Sequence, residues 1–384
     1  MRTGAPRITV TALAMVGLIG TGSALADVAV TDASAWKAQQ RAANEAKSAQ
    51  KAEKQAHRSK VSALGEHKPV AIPHQTLIDA AGLEYFINTN ITFATTSSAS
   101  GAMYEANYTG PVQATTSAGG TVSSTLNDAF DGYNALWFSQ TLTGPAATGN
   151  AAYVAYNNNG AASLDTACGS RQVNFANQTI YKLIVSRKVY VPSTDTFARW
   201  QTILTNPTAA AITVNVISAN NLGSDNDTVI DTTSSGDTTV TTADTWVSSF
   251  QNYTGTTTSD PRLAHVIWGP GGTGPNAISF VNGNDEPYWS IPVTVPAMST
   301  RILLHFVTGQ PSKAAARAKA AQLATSPLSE AAVACMADLE RAQVVNFVAA
   351  PAGDAPIPAL GKFGLLALVA AIAGAGLLAH RRLA

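Results

Sequence analysis

The sequence predicts a mainly β protein. Its body is expected to be an antiparallel β-sandwich of extended size, with an N-terminal helical arm, a C-terminal helical pair and one C-terminal transmembrane helix. Three observations carry that expectation. Short segments of alternating polar and apolar residues, rich in β-branched and aromatic types, recur from Leu83 to Phe306. Turn signals separate them, and no helix-periodic segment long enough for a parallel crossover lies between the best-defined strands. The chain also closes on an apolar stretch as long as a bilayer is thick.

The first 26 residues read as a secretory signal peptide. Arg2 and Arg7 form its basic region, Ile8 to Gly20 its apolar region, and Ala24-Leu25-Ala26 a small-x-small cleavage site, so the mature chain begins at Asp27. Residues 27–74 form the arm and linker. Asp27–Lys60 is rich in Ala, Lys, Gln and Glu and has no Gly or Pro, a helix-favouring composition. Its apolar face is almost all alanine, apart from Val28, Val30 and Trp36, so it predicts a solvated arm and not a core element. Gly65–Pro73 is the linker.

The β body is expected over residues 75–310. It opens with the alternating run from Leu83 and continues with strands around Tyr104–Tyr108, Thr121–Leu126, Tyr133–Leu142 and Ala151–Tyr156. Ile180–Val191 reads as one long strand, with Tyr181, Leu183, Val185, Val189 and Val191 on one face. Arg187 breaks that face, which predicts a position near a sheet edge or a carboxylate partner. Phe197–Asn206 and Ala211–Ser218 follow, and the three strands read as a meander. Asn220–Asp244 is a polar excursion with two short β segments at most. Trp246–Phe250, Leu263–Trp268, the run through Trp289 to Val295, and Ile302–Phe306 complete the pattern. Pro292 and Pro296 place the Trp289 strand at an edge, because proline has no N–H to give a ladder.

Residues 311–350 predict the helical pair. Ser312 N-caps an Ala-rich helix that ends before Pro327, and Ser329 caps a second over Glu330–Val348. In the second, Val333, Met336, Leu339, Val344 and Phe347 form an apolar stripe facing the body. Residues 351–356 are a spacer. In residues 357–384, the 20 positions from Leu360 to Ala379 are interrupted by a single charge, Lys362. Twenty helical residues span about 30 Å, the hydrocarbon thickness of a bilayer. Arg381 and Arg382 follow as a positive stop.

This tail resembles the IPTL-type C-terminal sorting signal of Gram-negative bacteria, a relative of the PEP-CTERM signals. Ile357-Pro358-Ala359-Leu360 stands for the Ile-Pro-Thr-Leu motif, Phe363-Gly364 for the aromatic-Gly pair, and Arg381-Arg382 for the basic cluster. Ala359 replaces the usual Thr and Phe363 the usual Trp. The resemblance covers about the last 28 residues. It implies export and recognition by a sorting peptidase of the exosortase type, with placement in the cell envelope, on the outer surface or in the extracellular matrix. A plain membrane anchor is the alternative reading.

Charge and composition narrow the partners. Lys plus Arg equal Asp plus Glu at 24 each, but residues 75–310 hold 15 acidic against 7 basic residues. An acidic body argues against nucleic acid. The two cysteines, Cys168 and Cys335, either pair in an oxidising compartment or remain two separate buried thiols. Asp225, Asp227 and Asp231 form the densest carboxylate cluster. Such a loop can bind calcium, but the spacing does not match the helix-loop-helix calcium motif, and a solvated acidic loop is the alternative. No other cofactor is expected. Asp128 and Asp131 near Tyr133 and Trp137 raise a glycosidase pair only on sequence proximity. His265 and His305 sit inside apolar strands, as core histidines or as a shared zinc site. No nucleophile elbow occurs, and no catalytic residue is assigned. The expected role is structural or adhesive at the cell surface. The alternative is a carbohydrate-binding or carbohydrate-cleaving module, with Tyr104, Tyr108, Trp137, Tyr253 and Trp268 as the aromatics that would stack on surface glycans.

Overall fold

The computed structural model of the chain describes residues 74–89, 100–116, 118–127, 129–145, 151–157, 162–224, 227–252 and 260–348. The described residues all fall in one compact unit. The signal peptide with Ala24, Ala26 and Asp27, the arm, the spacer and the tail from Ile357 to Arg382 lie outside the described residues. Among the described residues no helix is long and apolar enough to cross a membrane.

Strands β1 (His74–Ile78), β2 (Leu83–Asn88) and β3 (Met103–Tyr108) form a three-stranded sheet in that order, and β4 (Val112–Thr115) pairs with β5 (Thr121–Ser124). A five-stranded sheet runs β16 (Ala277–Ser279), β17 (Tyr288–Val295), β12 (Ile212–Ala219), β6 (Ala135–Ser139), β7 (Val154–Ala155). An eight-stranded sheet runs β13 (Thr228–Thr233), β14 (Trp246–Gln251), β15 (Arg262–Val266), β18 (Ser299–Gln310), β11 (Ala198–Asn206), β10 (Leu183–Tyr190), β9 (Gln172–Ile180), β8 (Ser163–Leu164). The ladders between these strands are antiparallel. The protein is mainly β, with antiparallel sheets and few helices.

The period of two decides where the cores lie. On β18, Leu303 and Val307 join a cluster that also holds Trp200 and Leu204 of β11 and Trp289 and Ile291 of β17, so both large sheets feed one core. Ile302, Leu304 and Phe306, on the opposite face of the same strand, join a second cluster with Ala316, Ala320, Leu323, Val333 and Phe347. Each fully buried Leu, Ile or Phe contributes about 1.5–3 kcal/mol. The sheet is therefore covered on both faces at β18.

Helix α1 (Lys313–Leu323) begins where Ser312 predicts it, and the Ser312 hydroxyl accepts from the Ala315 amide at 3.2 Å. Ala316, Ala320 and Leu323 recur at helical spacing and form its buried face. The second expected helix is not there. Only α2 (Asp338–Ala342) is helical in that segment, and Leu339 of the expected stripe is 69% exposed. The reason is competition for backbone groups. The buried Arg199 guanidinium takes the carbonyls of Ala332 at 2.8 Å and Ala334 at 2.7 Å, which a continuous helix needs for itself. Cys335 sits at φ 61, and Val345 donates instead to Ile302 of β18 at 2.9 Å.

Three further expectations change. Ile180–Val191 is not one strand. Tyr181 (φ 48) and Lys182 (φ 67) make a two-residue hairpin turn between β9 and β10. The meander also splits, because β10 and β11 pair in the large sheet while β12 crosses to the five-stranded one. β17 lies between β16 and β12, but β16 pairs only with Tyr288, Trp289 and Ser290. The side of β17 beyond Ser290 has no β16 partner, and Pro292 falls there.

Cys168 and Cys335, 167 positions apart in sequence, form a disulfide with Cα atoms 5.7 Å apart. It ties the turn before β9 to the segment that covers the second face of the large sheet. Closing so long a loop is worth about 4–5 kcal/mol at most in the chain-entropy account. Replacing both cysteines with serine is expected to lower unfolding stability by about 2–5 kcal/mol in urea titration of the mature protein. An unchanged midpoint would show that the clasp is redundant with the packing beneath it.

Candidate functional site

The aromatics singled out for glycan stacking scatter in the structure. Trp137 is 5% exposed and packs with Tyr153 and Ile217 on the five-stranded sheet. Tyr108 is 4% exposed, and its hydroxyl donates to the Gly309 carbonyl at 3.0 Å. Neither offers a ring face to a sugar. Strand β6 is buried along its whole length, and Tyr108 belongs to the main core. Trp268 is half-buried against the core, and its Nε1 donates to the Asp244 carbonyl at 2.9 Å. Tyr253 lies outside the described residues. Tyr104, like Trp268, is partly exposed.

A bulge places Tyr104. The β2–β3 register shifts between Phe86 and Ile87, so Tyr104 and Glu105, adjacent in sequence, are both only partly buried while Met103 and Ala106 are buried. Phe86 lies across from them and His74 next to that on β1, giving an aromatic trio. Ring centroids stand 5.3 Å apart for His74–Phe86, 5.4 Å for His74–Tyr104 and 5.9 Å for Phe86–Tyr104. The Tyr104 hydroxyl and His74 Nδ1 are hydrogen-bonded at 2.9 Å. Burial, then the charge of Glu105, pushes the Tyr104 phenol up from its ordinary value, so it stays neutral at physiological pH. Sequence reasoning missed His74 and Phe86. His74 was read as linker, and Phe86 as one more residue of an alternating run.

Of the calcium candidates, Asp227 and Asp231 lie among the described residues. Asp225 lies outside the described residues. Asp231, on β13, takes a bidentate hydrogen bond from the Arg317 guanidinium of α1, and Lys313 stands 4.0 Å away. Asp227 is at the start of β13, where its amide donates to the Ser224 carbonyl at 3.1 Å. Among the described residues no group of three or more His, Cys, Asp or Glu side chains is placed to hold a metal. Asp128 is outside the described residues, and Asp131 is exposed while Tyr133 and Trp137 are buried. A cleft of about 350 Å³ lies at the start of α1 between Thr115, Thr116, Ser312, Lys313 and Arg317. Arg317 is committed to Asp231, and the Lys313 ammonium sits 3.5 Å from the centre of the Phe250 ring.

The interior between the two large sheets carries more polar chemistry than the sequence suggested. His265 is fully buried, with Nε2 at 3.1 Å from Ser249 Oγ and Nδ1 at 3.1 Å from the Tyr133 hydroxyl. His305 is also buried, 5.8 Å from the Trp289 ring centre. Burial pushes both imidazoles down to about 3, and for His305 the nearby Arg187 charge adds to it. Arg187 is not at an edge, and among the described residues no carboxylate pairs with it. β10 lies between β11 and β9, and the guanidinium donates to the carbonyls of Ser100 and Asn134 and to Asn134 Oδ1.

Comparisons with known proteins give likeness in backbone only. No protein-family model matches the chain. No curated protein matches it. Among solved structures, a polysaccharide lyase aligns at 10% identity and TM-score 0.37, covering 62% of this chain and 34% of its own. Heparan sulfate lyase HepC from Pedobacter heparinus aligns at 14% identity and TM-score 0.24, covering 36% of this chain and 20% of its own. The Slr1438 protein of Synechocystis sp. PCC 6803 aligns at 9% identity and TM-score 0.31, covering 64% of this chain and 99% of its own. The chain thus spans about a third of the first and a fifth of the second. Likeness at this level assigns no activity.

The two histidines set a pH dependence. Their folded values lie far below the ordinary imidazole value, so the unfolded chain binds protons that the folded chain refuses. The stability they permit is whole above about pH 6.5 and falls as pH drops from there toward about 3. Each is expected to cost about 2 kcal/mol at pH 5 relative to pH 7.5. Chemical denaturation of the mature protein at the two pH values checks this. Equal stability at both would contradict the buried, neutral placement.

Proposed function

We propose that this chain is an exported cell-surface or extracellular-matrix protein with a structural or adhesive role. In this reading its body is an extended β-sandwich, and its tail is read by a sorting peptidase of the exosortase type. The observation that carries the proposal is the Cys168–Cys335 disulfide. Such bonds persist in oxidising compartments and are rare in the cytosol. The signal peptide expected over residues 1–26 and the tail from Ile357 to Arg382 agree with that placement. The body also suits the role physically. It has sheets joined by one core and a second face sealed by a covalently tied segment, which favours resistance to unfolding over moving parts.

A second reading rests on the trio His74, Phe86 and Tyr104. Partly exposed aromatic rings beside Glu105 and Asn107 make a surface with apolar faces and hydrogen-bonding tips, the chemistry that meets a sugar ring. It gives the surface protein a glycan contact without requiring it to cleave one.

Fractionation of cells carrying a fluorescent fusion tests the sorting. Replacing Arg381 and Arg382 with Ala is expected to retain the protein in a membrane fraction or abolish its surface placement, and unchanged placement would count against the proposal. For the glycan contact, saturable binding on a glycan array is expected to fall at least tenfold in Tyr104→Ala. A flat array for the wild type, with loss of cell cohesion on gene deletion, would leave the structural role standing alone.

A further inference from the structure

Arg187 is a fully buried cation in an apolar core, and its hydrogen-bond acceptors are all neutral. The Tyr156 phenol lies close enough to favour its charge but is itself raised by burial and stays neutral at neutral pH, so it supplies no countercharge. Burial lowers its guanidinium to about 9, so it still carries its charge at neutral pH. An uncompensated buried charge is among the most costly features a fold can hold.

Among the described residues, Asn134 Nδ2, Arg187 Nε, Thr202 Oγ1, Ser218 Oγ, Trp289 Nε1 and both ring nitrogens of His305 are buried without a hydrogen-bond partner, and of the two His305 nitrogens one is a donor in the neutral ring. Every one of these six side chains can donate, and none is a carboxylate. They also neighbour one another. Arg187 is the cross-strand partner of Thr202, and Thr202 is diagonal to His305 through its partner Leu303. The His305 ring is 5.8 Å from Trp289, which is the cross-strand partner of Ser218. Asn134 is held by the guanidinium itself. The charged guanidinium and the five neighbouring side chains with an orphan donor call for an occupant that accepts and carries negative charge.

We propose that the interior between the two large sheets binds a small monovalent anion of the halide class, chloride in a saline environment, at Arg187 with Asn134, Thr202, Ser218, Trp289 and His305 as neighbouring donors. A halide ion is small enough for a protein interior, needs no directional partner geometry and supplies the missing countercharge. It would make the body's stability depend on the anion and not on ionic strength alone.

Crystals of the mature protein grown in sodium bromide test this through anomalous scattering at the bromine edge. A peak within hydrogen-bonding distance of Arg187 and the Trp289–His305 pair is expected, and absence of a peak there, or a water in its place, overturns the proposal. In solution, the unfolding midpoint is expected to rise saturably with sodium chloride over sodium gluconate at equal ionic strength. Trp289→Phe keeps the ring and removes one donor, and is expected to weaken the apparent chloride affinity at least fivefold. Arg187→Met is expected to abolish the chloride increment. If that variant does not fold, the bromide map and Trp289→Phe decide. Equal midpoints in the two salts, or an increment the same in wild type and Trp289→Phe, also overturn it.

Discussion

The rest of this structure depends on β18 being buried on both faces. A strand with one wet face needs only one partner layer, and its sequence alternates. From Ile302 to Gln310 every residue of β18 is buried. Odd positions enter the core shared with the five-stranded sheet, and even positions enter the second cluster under the C-terminal segment. The neighbouring β11 and β15 share this double burial over most of their length. Leaving the even face bare would expose Ile302, Leu304, Phe306, Ala264 and Val266 together, an apolar patch of the kind soluble proteins avoid.

The covering segment is held by several devices of different chemistry. α1 supplies a helical face of Ala316, Ala320 and Leu323. Arg199 reaches through from β11 to the carbonyls of Ala332 and Ala334. Asn346 is buried and bonds the Leu304 amide and carbonyl at 2.9 and 2.6 Å and the Ile267 carbonyl at 2.9 Å, acting as a side-chain extension of the sheet. Gly272 admits this approach, since a Cβ there would stand 2.2 Å from the Asn346 backbone. The disulfide closes the set. A segment satisfied in this way has no need to be helical, and most of it is not.

Much of the sheet was legible because alternation is a direct record of two-sided strands. Trp289, Ile291, Val293 and Val295 alternate in sequence and lie together in the core. The β9–β10 hairpin was not legible, because Tyr181-Lys182 lacks the Gly or Asn that announces a turn with positive φ. The second C-terminal helix misled because its composition is helical while its carbonyls are taken by an arginine 133 residues away in sequence. Burial of Trp137 and Tyr108 was hidden for a related reason, since a period of two says which residues share a face but not what covers it. The Tyr104 surface depends on a bulge that alternation alone cannot locate.

The interior histidines and Arg187 show the limit of pattern reading most clearly, as a charged residue on an apolar face implies an edge or an ion pair and here, among the described residues, has neither. The C-terminal segment seals a sheet that cannot stand with one face open, and hydrogen–deuterium exchange on the mature protein and on a chain ending at Gln310 shows whether it does. The Ile302–Phe306 amides, slow in the intact protein, are expected to exchange at least a hundredfold faster in the shortened chain. Equal protection of those amides in both would mean that the sheet holds without its cover.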